Sequence, residues 1–220
     1  MHYRILLIAA LIVAVTACGG ASRNYVLGET LLQEEFSEAN AWENFTADDV
    51  ALQVSDGVYQ AQTGPGGYTW GLNQTEHTDV VIEVQADQTS AYENNGYGIM
   101  CRAETDNNGD GYYFLISGDG FYSIRKGEAD NVNPLVDWAA HSAINTGQAS
   151  NTIRAVCVGN YLALYVNDRF LAEIEDSTYS SGYAGLSVAA FTDESAASVG
   201  PVKADITFDN LTIWAASLSN

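Results

Sequence analysis

The stretch Asn151 to Glu175 reads "NTIRAVCVGNYLALYVNDRFLAEIE". It divides into three short strand-like runs joined by Gly159-Asn160 and Asn167-Asp168. Two-residue turns of Gly, Asn and Asp suit tight hairpins because these residues tolerate positive φ. The same plan recurs on either side. "VALQVSDGVYQAQ" is two runs around Ser55-Asp56-Gly57, and "YYFLISGDGFYSIRK" is two runs around Gly118-Asp119-Gly120. In "DVVIEVQAD", Val80, Ile82, Val84 and Ala86 take one face and Val81, Glu83 and Gln85 the other, as in a strand with one face in a core. After the first residues no segment sustains a helical period. Many antiparallel strands in one unit predict an all-β fold, a two-sheet antiparallel sandwich or jelly roll. One irregularity stands near the end. In "ADITFDNLTIWAA" the apolar parity flips at Asp209-Asn210, which predicts a β-bulge.

The N-terminus reads differently. "MHYRILLIAALIVAVTACGG" has Arg4 and then an apolar run from Ile5 to Val15, short for a membrane span of roughly 20 residues and suited to a secretory signal. Val15-Thr16-Ala17-Cys18 resembles the lipobox of bacterial lipoproteins, with Val15 where leucine is usual. The expectation is a signal at 1–17, lipidation of Cys18, a tether over 18–30 and one domain over 31–216. The chain would then be exported to the bacterial cell envelope and meet the membrane only through its lipid.

The chain carries 8 Lys+Arg against 28 Asp+Glu, a formal net charge of −20. That argues against nucleic acid and anionic bilayer surfaces, which require basic patches. Beyond Cys18 the only cysteines are Cys101 and Cys157, both in strand-like segments. Export favours a disulfide between them over two buried thiols. There is no C-x-x-C pair.

In order, "EEFSEANAW", "VSDGVYQ", "DVVIEVQA", "NNGYGIMCRAETDNNGDGYYFLISGDGFYSIRK", "LVDW", "INTGQASNTIRAVCVGNYLALYVNDRFLAEIED", "GYAGLSV" and "FDNLTIW" resemble the concanavalin A-like (laminin-G-like) jelly-roll domains of bacterial cell-surface proteins. These include relatives of the 3-keto-disaccharide hydrolase domain family and ectodomains attached to serine/threonine kinases. The resemblance implies two packed antiparallel sheets, one concave and often holding a glycan, and in many members a structural calcium.

Glucan-cutting enzymes of that fold carry E-x-D-x-x-E on one strand, which alternation turns into an acid pair about 5–5.5 Å apart in retaining enzymes. This chain lacks it. The nearest acids are Glu83 with Asp87, and Glu173 with Glu175 and Asp176. His77 and His141 read as isolated loop histidines, and no G-x-S-x-G elbow is present. Sugar binding needs aromatic faces, and the chain has 4 Trp, 13 Tyr and 7 Phe. Trp70, Tyr92, Tyr97, Tyr113 and Trp138 are the carbohydrate-binding candidates, with Tyr68 beside them. Arg102 joins them because alternation from a core-facing Cys101 sends it, with Met100, to the opposite face.

"TDNNGDG" follows the opening of a calcium loop through Asp106, Asn108 and Asp110. The twelfth position is Ser117 where an EF-hand needs an acid, and strands flank the loop. A hairpin turn and a looser calcium site remain as its two readings. A second calcium candidate joins Glu34 or Glu35 to Asp209. No cofactor is required; a structural calcium is the one candidate. The leading function is non-catalytic binding of a glycan or cell-surface polymer. The alternatives are a glycoside hydrolase of the 3-keto-disaccharide type and a sensory or structural ectodomain that binds protein.

Overall fold

The computed structural model describes residues 23–38, 42–105, 108–192 and 201–219, and these contain strands and no helix. The signal and Cys18 lie outside them. Nine strands form one antiparallel sheet. Its order is β13 (Arg169–Glu175), β12 (Tyr161–Val166), β11 (Ser150–Val158), β6 (Val80–Gln88), β15 (Ala204–Leu218), β4 (Val58–Thr63), β3 (Val50–Ser55) and β2 (Phe45–Ala47). The ninth, β1 (Tyr25–Glu34), pairs with the C-terminal half of β15. The second sheet has six strands: β10 (Asn131–Ala140), β9 (Phe121–Glu128), β8 (Gly111–Ile116), β7 (Asn95–Ala103), β14 (Gly182–Ala190) and β5 (Tyr68–His77).

The predicted hairpins form. Asp56 and Gly57 turn between β3 and β4 with φ of 54° and 81°, and Asn167 and Asp168 between β12 and β13 with φ of 50° and 60°. These are left-handed conformations, which explains the Asp, Asn and Gly at those positions.

Alternation then builds the core. Ile82, Val84 and Ala86 of β6 point inward with Ile153, Ala155 and Cys157 of β11. They meet Tyr97, Ile99 and Cys101 of β7 and Tyr112, Phe114 and Ile116 of β8. Cys101 and Cys157 form a disulfide that bolts β7 to β11 across the two layers, Cα atoms 6.9 Å apart.

The bulge in β15 is present. The register against β6 shifts between Asp209 and Thr212, and Asn210 takes φ of 52°. The extra residue restores the parity, so Ile206, Phe208, Leu211 and Ile213 all reach the core.

Two expectations need correction. Residues 25–30, assigned to the tether, belong to β1. Most of its side chains are exposed because it adds to β15 as an edge strand, so no clean alternation marks it. His77, assigned to a loop, ends β5 and is buried.

Candidate functional site

The outer face of the six-stranded sheet has a graded relief. Cross-strand register puts Leu72, Gly185, Met100, Tyr113 and Arg125 in one row, and Trp70, Ser187, Gly98, Leu115 and Ser123 in the next. Tyr68, Ala189 and Gly96 begin a third. β14 contributes Gly185, Ser187 and Ala189, and β7 contributes Gly98 and Gly96 beside Met100, while Tyr68, Trp70, Tyr113 and Leu115 stand on the neighbouring strands, a trough lined by rings. The ring of Tyr68 leans across it and meets Tyr113 edge-on, with centroids 5.4 Å apart. Trp70 stands 6.3 Å from Tyr68. On the far side Trp138 of β10 lies against Gly96 and packs edge-on to Phe191 at 5.8 Å. A Cβ at Gly96 would meet the Phe191 ring at 3.0 Å, so a larger residue there would require that ring to give by a few tenths of an ångström.

Two hollows open beside these rings. One of about 480 Å³ is lined by Glu43, Asn44, Phe45, Leu52, Tyr68, Thr69 and Trp70. That is within the size range of small-molecule sites, roughly 300–1,000 Å³. Phe45 is 56 % exposed at its rim. Its wall is held by the Glu43 carboxylate, which accepts the Leu72 N–H at 3.1 Å, and by the Glu43 carbonyl, which accepts the Tyr59 hydroxyl at 2.8 Å. The other hollow, about 190 Å³, lies between Asn94, Ser117, Asp119, Phe121, Trp138 and Phe191.

The face is low in negative charge. The six strands contain three carboxylates, Glu76, Glu128 and Asp137, all exposed. Glu76 is engaged by the Ser181 hydroxyl and Glu128 lies 3.4 Å from Lys126. The acids considered from the sequence lie elsewhere. Glu83 pairs with Arg154 at 2.6 Å, Glu173 accepts the Tyr161 hydroxyl at 2.7 Å, and Glu175 pairs with Arg23. Asp87 accepts the Gln85 amide. Burial opposes ionisation of Asp176, but the Tyr112 hydroxyl and Thr178 hold its pKa below the usual value. All these acids lie on or just beyond strands of the nine-stranded sheet.

The structure divides the aromatic candidates. Trp70 and Trp138 lie half-buried on the outer face. Tyr113 shares that face but is wholly covered, and its hydroxyl donates to the Gly109 carbonyl at 2.6 Å. Tyr97 points the other way, into the core, and burial pushes its hydroxyl up to about 12. Tyr92 is buried with its hydroxyl donating to the Phe191 carbonyl. Tyr97 and Tyr92 are therefore packing residues in place of the groove positions assigned to them.

Arg102 is the clearest correction. Alternation fails there because Cys101 and Arg102 together oppose Ala184, a bulge that gives Arg102 φ of 53°. The side chain turns to the end of the sandwich and is 1 % exposed. Its Nε donates to the Thr78 carbonyl at 3.1 Å, and Nη1 to the carbonyls of Gly159 at 2.7 Å and Tyr179 at 2.9 Å. Nη2 donates to Asp79 at 3.1 Å. Burial lowers its pKa against the opposing pull of Asp79. It ties three loops together and does not reach the trough.

The "TDNNGDG" segment connects β7 to β8, the hairpin reading. Asp106 lies outside the described residues. Asn108 accepts the Asp110 N–H at 3.0 Å, and Asp110 accepts the Ala129 N–H at 2.9 Å. Asn108 thus organises its own turn, and Asp110 ties it to the turn between β9 and β10. Glu34 accepts the Phe36 N–H and Asp209 the Asn210 N–H, while Glu35 is exposed. Among the described residues no three or more His, Cys, Asp and Glu side chains converge. His77 Nε2 sits 3.1 Å from the Asn73 amide nitrogen, and burial lowers its pKa.

Sequence reasoning missed Phe45 and Glu43 of the larger hollow. Their signal was local: "AWENF" places two rings around an acid and an amide just before a strand. It also missed a second aromatic face. Tyr25, Tyr165, Phe170 and Trp214 pack on the outer side of the nine-stranded sheet around Arg154.

No family model matches the chain, and no curated protein does. Solved structures do match. The carbohydrate-binding module CBM66 from Bacillus subtilis is 17 % identical with a TM-score of 0.61, covering 80 % of this chain and 96 % of that one. A Bacillus subtilis protein of unknown function with a galectin-like fold is 11 % identical with a TM-score of 0.64, covering 89 % and 100 %. The Bacillus licheniformis β-glucanase is 9 % identical with a TM-score of 0.59, covering 85 % and 98 %. The fold is a concanavalin A-like jelly roll. At these identities the likeness concerns the fold alone, and one fold hosts many functions.

Proposed function

We propose that this chain is a surface lipoprotein, anchored at Cys18, that binds a glycan without cleaving it. The observation that carries the reading is the outer face of the six-stranded sheet. It presents Trp70, Tyr68 and Trp138 around a trough of small residues, with a hollow of about 480 Å³ at its edge. Sugar C–H faces stack on such rings, and the flanking amides and hydroxyls would orient the sugar's own hydroxyls. A carbohydrate-binding module among the structural neighbours supports the same reading.

A cleaving enzyme, as the 3-keto-disaccharide hydrolase resemblance implies, would need an acid or histidine with a matched partner at the bound glycosidic bond. The three carboxylates of the six strands are dispersed and exposed, and the acids of the two hollows lie apart, Glu43 accepting the Leu72 N–H and Asp119 the Ser117 hydroxyl, so the geometry favours binding over hydrolysis.

The test is a glycan array with the Cys18→Ala chain, which cannot be lipidated, beside Trp70→Ala and Trp138→Ala. Binding by the parent and loss in folded variants supports the reading; a folded parent that binds no glycan refutes it. Incorporation of labelled fatty acid into the native chain, and its loss in Cys18→Ala, tests the anchor.

A further inference from the structure

The formal net charge is −20, and among the described residues Arg23, Arg102, Lys126, Arg154 and Lys203 each pair with a carboxylate. Arg169, which is exposed, and Arg125 make no ion pair, and of these two Arg125 is the half-buried one. It stands in the trough row beside Tyr113, with its guanidinium 6.0 Å from the Trp138 ring centroid. Two contacts hold it: Nη1 to the Ser123 hydroxyl at 3.4 Å, which is long, and Nη2 to the Val132 carbonyl at 3.0 Å. A guanidinium has five N–H donors, so most of its capacity is unused.

A second observation points to the same place. Among the described residues four buried side-chain polar atoms lack a hydrogen-bond partner, and two of them are Tyr68 Oη and Ser187 Oγ. Ser187 is fully buried on the trough floor opposite Gly98. Burial raises the Tyr68 pKa, while the charge of Arg125 and a marginal hydrogen-bond contact with the Ser187 hydroxyl pull it back; the two hydroxyls approach each other without reaching full hydrogen-bond geometry. Leaving a buried hydroxyl unpaired costs roughly 1–3 kcal/mol. Movement of the Tyr68 ring, which is only half-buried at the start of the edge strand β5, would bring both hydroxyls and the guanidinium to one ligand group.

We propose that Arg125, with Tyr68 and Ser187, forms a subsite for a carboxylate on the bound sugar, so that the ligand is a glycan containing uronic acid. This rests on the glycan-binding reading and narrows it. A carboxylate is planar and accepts two parallel N–H bonds from a guanidinium, and its remaining lone pairs accept hydroxyl donors. The charge of the whole chain limits the ligand further. A dense polyanion is repelled once its charges come within the screening length of about 8 Å at physiological salt. The fitting ligand is a mainly neutral polymer with isolated uronates.

The experiment uses glucuronoxylan and the same polymer after chemical reduction of its carboxyl groups to primary alcohols, titrated calorimetrically into the Cys18→Ala chain. The parent chain should bind the uronate form about tenfold or more tightly than the reduced form. Arg125→Gln should lose that preference and bind the two forms with equal affinity. Equal affinity of the parent chain for the two forms overturns the carboxylate subsite and leaves glycan binding standing. Failure to bind either form also overturns the subsite, and the glycan array then decides the broader reading separately. The parent comparison needs no variant, so misfolding of Arg125→Gln does not blunt it.

Discussion

Replacing Arg102 by lysine separates a structural role from a binding one. The guanidinium reaches three carbonyls and one carboxylate. A lysine keeps the charge but concentrates it on one nitrogen, so it cannot satisfy acceptors that approach from four directions. Breaking a buried charge pair outright costs about 3–5 kcal/mol. Asp79 is 43 % exposed and rehydrates cheaply, and lysine retains part of the attraction. The expected loss for Arg102→Lys is therefore about 2–3 kcal/mol, most of it from carbonyls left without donors. Urea unfolding followed by tryptophan fluorescence, with a shared m-value, measures it. Glycan affinity of the folded fraction should not change. A stability change under about 0.5 kcal/mol, typical of an exposed site, would refute the assignment, as would a selective loss of glycan binding.

The disulfide closes a loop with a sequence separation of 56, so Cys101→Ala with Cys157→Ala should lose about 4 kcal/mol in the chain-entropy model; a calorimetric midpoint within 3 °C of the parent would contradict it. His77 has a lowered folded pKa, from burial, so the unfolded chain binds the proton more readily. Its neutral form therefore contributes stability above about pH 6.5 that is lost as pH falls below the unfolded value. Thermal melts at pH 7.5 and 5.0 should show a larger drop for the parent than for His77→Asn, and equal drops would contradict this. Deleting Asn210 should remove the bulge and turn Leu211 and Ile213 outward. The variant is expected not to fold cooperatively, as near-ultraviolet circular dichroism would show; a native spectrum would disprove the parity argument.

The sheets were legible because their information is local. Gly159-Asn160 and Asn167-Asp168 state their turns, and Val80 to Ala86 states its buried face. Even the bulge at Asp209-Asn210 could be read, since a one-residue insertion shifts every apolar position after it. β1 escaped because an edge strand with mostly exposed side chains has no core face to betray it. Arg102 misled for the complementary reason: alternation assumes an unbroken strand, and the bulge that redirects it involves Cys101 and the facing Ala184, which is far away in sequence. The site was half legible. Trp70 and Trp138 were identifiable as rings near strand ends, but Tyr97 and Tyr113 differ only in which side of a strand they take. The trough itself is a cross-strand property of Ser187, Gly98, Ala189 and Gly96, and no single segment displays it.

The central claim is that the outer face of the six-stranded sheet binds glycan through its rings. The most direct measurement is glycan affinity of the double variant Trp70→Ala/Trp138→Ala beside the parent, with unfolding curves on the same samples. Loss of two stacking rings at about 0.5–1.5 kcal/mol each predicts an affinity about 5- to 150-fold weaker in a chain that still unfolds cooperatively. A folded double variant that binds the glycan as tightly as the parent would contradict the account.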